Sequence, residues 1–197
     1  MPLHTTTTLA TAAALTLGLF CQTALAAPKD ELHDAFAKFL KATSFRASVT
    51  DLKKNEQVST MEFTAPDRYR IQSGHGPAQY IIGDAMYMDM DGKPTRVPVP
   101  GVGKMIGQYR NADFLADMEQ GMSVQALADE SVDGEPAKVY TYALTKPVKS
   151  DAKTWVSQKT GLPIQIESTG SFMGHSSTTR VRYSNFDDPS IKIDLPN

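Results

Sequence analysis

The sequence predicts a mainly-β, α+β domain: one N-terminal helix, about six strands, two short helices and about five further strands. Three observations carry this. Apolar residues recur at helical spacing only near residues 32–40 and 102–118. Almost everywhere else beyond residue 44 they alternate with polar ones at a period of two. The links between the strand segments are short, which suits antiparallel neighbours and leaves no room for the crossovers parallel strands need. At 197 residues the chain is long enough for one domain of ordinary size.

Residues 1–26 contain no Asp, Glu, Lys or Arg. Leu9–Phe20 is an apolar run, and Ala24-Leu25-Ala26 has the small-x-small pattern of a signal-peptidase site. This reads as a secretory signal cut before Ala27, because the run is short of the ~20 apolar residues a membrane span needs. Phe20 precedes Cys21 where a lipidation signal requires a small residue, so Cys21 leaves with the signal. The expected mature domain, 27–197, then holds no cysteine and relies on its core in an oxidising compartment.

The mature part opens with a helix. Pro28 stands near its start, Asp30 and Glu31 lie in the first turn, and Lys38 and Lys41 lie in the last, as the helix dipole favours. Leu32, Ala35, Phe36, Phe39 and Leu40 make one apolar face. Strands follow. Phe45, Ala47 and Val49 alternate with Arg46, Ser48 and Thr50; Met61 and Phe63 alternate with Glu62 and Thr64; Tyr69 and Ile71 alternate with Arg68 and Arg70 after Pro66. Tyr80–Ile82 meets Ala85–Met90 across Gly83-Asp84, where a leading glycine suits a type II′ turn, and Asp91-Gly92 suits type I′. Val97–Gly101 is extended and proline-rich. Val102, Met105, Ile106 and Tyr109 then fit a short helix, and Phe114, Leu115 and Met118 a second with Asn111 as its N-cap. Glycines 101, 103, 107 and 121 surround these pieces, the pattern of a mobile cover. Strands are expected at 123–131, 136–145, 152–158, 162–169 and 177–185. Turns are expected at Asp133-Gly134, around Lys149–Asp151, at Thr160-Gly161 and around Gly170–Gly174.

Composition and motifs exclude more than they identify. Lys and Arg number 20 against 22 Asp and Glu, a net charge of −2, so no basic footprint for nucleic acid exists. His33, His75 and His175 have no metal-ligand spacing. No nucleophile motif, dinucleotide fingerprint or phosphate loop is present. The acidic residues fall mostly at turns, where Asp bonds the backbone. We therefore expect no enzyme, cofactor or metal. The methionines, nine in all, are more informative. Met86, Met88 and Met90 share one face of one strand, with Met61, Met105, Met118 and Met122 on other elements. Methionine serves as core filler or as an adaptable apolar binding surface. A sheet curved over short helices either plugs its concavity or holds a ligand there. Arg68 and Arg70, with Arg46 near and Arg180 and Arg182 on the last strand, read as solvated strand edges or as a rim for anionic headgroups or an acidic partner.

Several segments resemble the superfamily of periplasmic carriers of outer-membrane lipoproteins (LolA/LolB-like and LppX-like). They are 41–50 (KATSFRASVT), 63–71 (FTAPDRYRI) and 82–87 (IGDAMY). Further on, 132–140 (VDGEPAKVY), Trp155 with Thr160–Pro163, 183–187 (YSNFD) and 193–196 (IDLP) resemble relatives in the same superfamily. The resemblance implies an open antiparallel half-barrel of about eleven strands, with helices as a lid over an apolar cavity. It implies a monomer that binds a lipid, or the acyl chains of a lipidated protein, in the periplasm without catalysis, exchanging cargo with a membrane-anchored donor or acceptor protein. Tyr69 and Ile71 fall on the family's cavity-facing third strand. The expected cavity adds Phe36, Phe45, Met61, Phe63, Met86 and Met88, with Met105, Phe114, Leu115 and Met118 from the lid. Where the carriers have an arginine before the hairpin proline this chain has Ala65, which points to a divergent lipid-binding relative. The alternative on the same scaffold is a sensor or protein-interaction module with a plugged cavity.

Overall fold

The computed structural model describes residues 26–145, 149–172 and 175–195. The expected signal segment up to residue 25, with Cys21 and most of the cleavage motif, lies outside the described residues.

Helix α1 spans Pro28–Lys41, with Pro28 in its first turn and Leu32, Ala35 and Phe36 buried. Strands β1 (Ser44–Asp51), β2 (Glu56–Thr64), β3 (Arg68–Ser73), β4 (Gln79–Ile82), β5 (Ala85–Met90) and β6 (Lys93–Val97) follow. The cover comprises α2 (Val102–Gly107), a 3₁₀ turn (Gln108–Arg110) and α3 (Ala112–Glu119). Then come β7 (Val124–Val132), β8 (Glu135–Leu144), β9 (Ser150–Ser157), β10 (Pro163–Phe172) and β11 (His175–Ser184). All eleven strands form one antiparallel sheet in the order β6-β5-β4-β3-β2-β1-β11-β10-β9-β8-β7. The sheet is open, with β6 and β7 as its edges. This is the antiparallel, mainly-β arrangement that the strand spacing predicts and the open half-barrel that the resemblance implies, built by two meanders joined where β1 pairs with β11.

Local chemistry sets the turns. Gly83 has φ 58° as the first residue of its two-residue loop, the type II′ requirement. Asp91 and Gly92 both have positive φ, at 55° and 81°, as type I′ demands. Asn111 caps α3, its side chain accepting from the Phe114 amide at 2.6 Å.

The expected turn around Gly170–Gly174 is strand over its first three residues, and residues 173 and 174 lie outside the described residues. Gly170, Ser171 and Phe172 remain in the ladder opposite Ser177, Ser176 and His175. Gly170 also pairs with Ser150, so Ser150 and Asp151 belong to β9 rather than to a turn. Backbone pairing on both sides outweighs glycine's weak strand preference.

The two faces of the sheet differ in chemistry. On the face under the helices, Phe45, Phe63, Tyr69, Ile81, Met86 and Val97 lie opposite one another across β1 to β6. The next row on that face holds Tyr183, Ala47, Met61, Ile71, Gln79 and Met88. The reverse face carries Arg46, Glu62, Arg70, Tyr80 and Tyr87 in register. Beyond β11 the C-terminal segment crosses to this reverse face, where Ile193 is buried with Ala78 and Tyr80. Among the described residues no helix is long and apolar enough to cross a membrane.

Candidate functional site: the helix-covered face

The site is built from the two apolar rows and the helices above them. Phe45, Ala47, Phe63, Tyr69, Ile81 and Val102 form one buried cluster, with Met61, Ile71, Met86, Ile106 and Tyr183 packed against it. α1 contributes Phe39, whose ring centroid lies 5.1 Å from Phe45 and 5.0 Å from Tyr183. Phe63 lies 5.1 Å from Phe45 and 5.0 Å from Tyr69. Such tilted and edge-on contacts add to the area these rings bury. A second cluster lies beneath the other end of α1, where Leu32 and Phe36 meet Leu115, Met122, Tyr140 and Tyr142.

The register therefore brings Phe45, Met61, Phe63, Tyr69, Ile71, Met86 and Met88 together on one face, as the period-two alternation predicts. Phe36, Leu115 and Met118 fall in the second cluster. Phe114 is half-buried on the same lid helix. Met105 is 52% exposed, so in this closed arrangement it points away from the core. Met90 continues the Met86–Met88 face but is 53% exposed at the hairpin end.

Few ties hold the cover down. Leu115 is the buried residue of α3. Glu119 closes on α1, 2.8 Å from His33 Nδ1, and its carbonyl accepts from Lys29 Nζ at 3.0 Å. α2 presses on the sheet at Gly103, where an added Cβ would lie 2.5 Å from the Gly83 carbonyl oxygen. Only glycine permits that approach without a shift.

Sequence reasoning missed Arg110. It ends the 3₁₀ turn between α2 and α3 and enters the aromatic cluster. Its guanidinium carbon lies 4.0 Å from the Phe63 ring centroid, 5.3 Å from Phe39 and 5.4 Å from Phe45. Nη2 donates to the carbonyls of Leu40 at 3.0 Å and Ala42 at 3.2 Å, near the end of α1. Desolvation lowers its pKa from the ordinary arginine value. Burial likewise raises the Tyr69 phenol and pushes Tyr183 up to about 12, keeping both neutral. A cavity of about 270 Å³ lies at this end of the helix-covered face, between Ala42, Pro66, Gly103, Gly107 and Arg110. Ligand pockets run roughly 300–1,000 Å³, so a long chain needs the cover to move.

The expected arginine rim on the other face is occupied by the protein itself. Arg68 Nη1 donates to the Ile193 carbonyl at 2.7 Å and lies 3.3 Å from Asp194, stapling the C-terminal segment. Arg70 and Arg46 converge on Glu62, at 3.5 and 2.8 Å. Arg180 pairs with Glu167 at 2.7 Å and Arg182 with Asp133 at 2.9 Å. A groove of about 820 Å³ runs along this face between Arg46, Arg70 and Ile164. Its charges are paired side chains, a poor lining for an acyl chain. Among the described residues no group of His, Cys, Asp and Glu could hold a metal ion.

No family model and no curated protein matches this sequence. Solved structures do match. The lipoprotein LppX of Mycobacterium tuberculosis superposes with TM-score 0.60 at 12% identity, covering 85% of this chain and 97% of that one. LprF of Mycobacterium bovis gives 0.61 at 10% identity, over 86% and 96%. A putative outer-membrane lipoprotein-sorting protein domain from Vibrio parahaemolyticus is 10% identical over 80% and 92%, but its TM-score is 0.27. At these identities the shared property is the fold: this chain has the LppX-like open half-barrel.

Proposed function

We propose that this protein binds and carries a hydrophobic ligand, a lipid or the acyl chains of a lipidated protein, between the helix-covered face of the sheet and its lid, and that it does so in the periplasm without catalysis. The observation that carries the reading is the pair of mainly apolar rows, from Phe45 to Met86 and from Ala47 to Met88, beneath a short-helix cover that meets the core through Val102, Leu115 and Arg110 and through a few polar ties. Burying acyl chains there supplies roughly 0.8 kcal/mol per CH₂, which gives affinity without catalytic groups. The half-barrel shared with LppX and LprF supports the architecture for this task. The departure at Ala65 favours a divergent carrier over a strict lipoprotein shuttle.

One observation favours a second reading. Phe39, Phe45, Phe63, Tyr69 and Tyr183 already fill the space beneath the helices, as expected of a plugged interaction module. Native mass spectrometry of the secreted protein after mild extraction separates the two. The carrier reading expects a chain starting at Ala27 with co-purified lipid. An unliganded chain that takes up no added lipid and captures a protein instead favours the module.

A further inference from the structure

Arg110 is an unusual arginine in this molecule. Arg46, Arg68, Arg70, Arg180 and Arg182 each meet a carboxylate, and Arg96 is exposed to solvent. Among the described residues no ion pair joins Arg110 to an acid. Its charge is accommodated by three aromatic rings and two carbonyl oxygens. Its Nη1 is buried with no hydrogen-bond partner. A guanidinium presents its donors in a fixed fork, so a fork held at Nη2 leaves Nη1 set in direction and unused. Buried donors are normally satisfied, and an unsatisfied one calls for an explanation. The residue also lines the cavity of about 270 Å³ at the end of the apolar rows. Lys41 and Asp67 share that lining and balance each other, leaving the arginine charge in excess.

We propose that Arg110 anchors the anionic head of the ligand: the cavity takes an oxyanion-headed amphiphile, a fatty-acid carboxylate or a lipid phosphate, whose chain runs beneath the cover. This rests on the hydrophobic-ligand reading above and adds the charge of the ligand. Nη1 is closed off in this arrangement, so as the cover shifts to admit the chain the oxyanion would accept from it and supply the missing counter-charge, a charge-assisted bond in a dry setting. Because Arg110 lies between α2 and α3, the head would contact the cover itself. Head and chain then act on the same movable element, and binding is coupled to lid position.

The test is isothermal titration of the secreted protein with dodecanoate, its methyl ester and inorganic phosphate, each below any micelle-forming concentration. Dodecanoate should bind at least about tenfold more tightly than the ester, the scale of one hydrogen bond to a charged group. Phosphate alone should not bind, because it lacks the chain. Arg110→Gln should abolish the preference, so that dodecanoate and the ester bind alike whatever their common affinity becomes, while Arg110→Lys should recover only part of the difference. If Arg110→Gln does not fold, the preference of the unaltered protein decides. Equal affinity for dodecanoate and ester overturns the anchor while leaving hydrophobic binding intact. Binding of neither overturns both. Phosphate binding as tight as that of dodecanoate overturns the amphiphile and assigns the site to a free anion.

Discussion

Replacing Leu115 with alanine tests whether α3 moves on its own. Leu115 is 5% exposed and belongs to the cluster of Leu32, Phe36 and Tyr142. The substitution removes three carbon atoms, which at about 0.8 kcal/mol each gives ~2.4 kcal/mol of lost burial. If the lid is a separate opening unit, that loss falls on local opening rather than on global unfolding. At 1.36 kcal/mol per factor of ten, amide exchange across α3 should speed up by roughly 60-fold. Exchange within β8 and β9 should change by less than about threefold, because those strands stay packed in both lid positions. Hydrogen exchange read by mass spectrometry resolves the segments. Equal acceleration of lid and strands would show that α3 unfolds with the whole domain. No acceleration at all would show that Leu115 does not hold it. Either result refutes the movable cover.

Three more perturbations probe α2, the methionine strand and the α1–β8 tie. Gly103→Ala puts a Cβ 2.5 Å from the Gly83 carbonyl oxygen; overpacking of this kind costs about 1–3 kcal/mol, so the melting temperature should fall and exchange across 102–110 should rise, and unchanged values would mean α2 shifts freely. Replacing the half-buried Met86 and Met88 together with glutamine puts amides on the helix-covered face, at a cost of up to about 1–3 kcal/mol for each amide left without a partner, so both stability and uptake of a fluorescent fatty acid should drop; no change in either would place these side chains in solvent. Glu31 accepts from Lys138 Nζ at 2.8 Å and from the Tyr140 hydroxyl, and these bonds, Lys138 first, lower its pKa below the ordinary carboxylate value. A carboxyl depressed in the folded state stabilises above its unfolded pKa and loses that contribution as pH falls through the folded one. Melting curves should therefore show an acid-side loss, beginning below about pH 4.5, that is smaller in Glu31→Gln; identical acid limbs would remove Glu31 from the α1–β8 tie.

Local patterns were legible where chemistry is local. The Leu32–Leu40 spacing places α1, the Gly83 and Asp91-Gly92 turns set the hairpins, and Asn111 marks the start of α3. The candidate face was legible for the same reason: alternation fixes which side each residue takes, and antiparallel register then aligns Phe63 with Tyr69 and Ile81 with Met86. What alternation cannot convey is which side chain crosses long stretches of chain. Arg110 sits between the two helical patterns of the cover, where spacing assigns it to neither apolar face, and reaches Phe63, a partner far away in sequence. Arg68 likewise reads as a free surface cation until the C-terminal segment returns to it at Ile193. Met105 matches helical spacing, yet α2 is a single short piece whose apolar side is taken up by Val102 and Ile106. The Gly170 region reads as a turn because glycine signals one, while two flanking strands hold it in the ladder.

The proposed ligand lies on the helix-covered face and not in the larger groove behind it. Photo-crosslinking with a diazirine-bearing fatty acid, followed by peptide mapping, tests this most directly. Labels are expected on Phe63, Tyr69, Ile71 and Met86 and on the cover at 102–119, with loss of labelling when unmodified fatty acid competes. Labels concentrated on Arg46, Glu62 and Ile164, which line the groove on the reverse face, would contradict it.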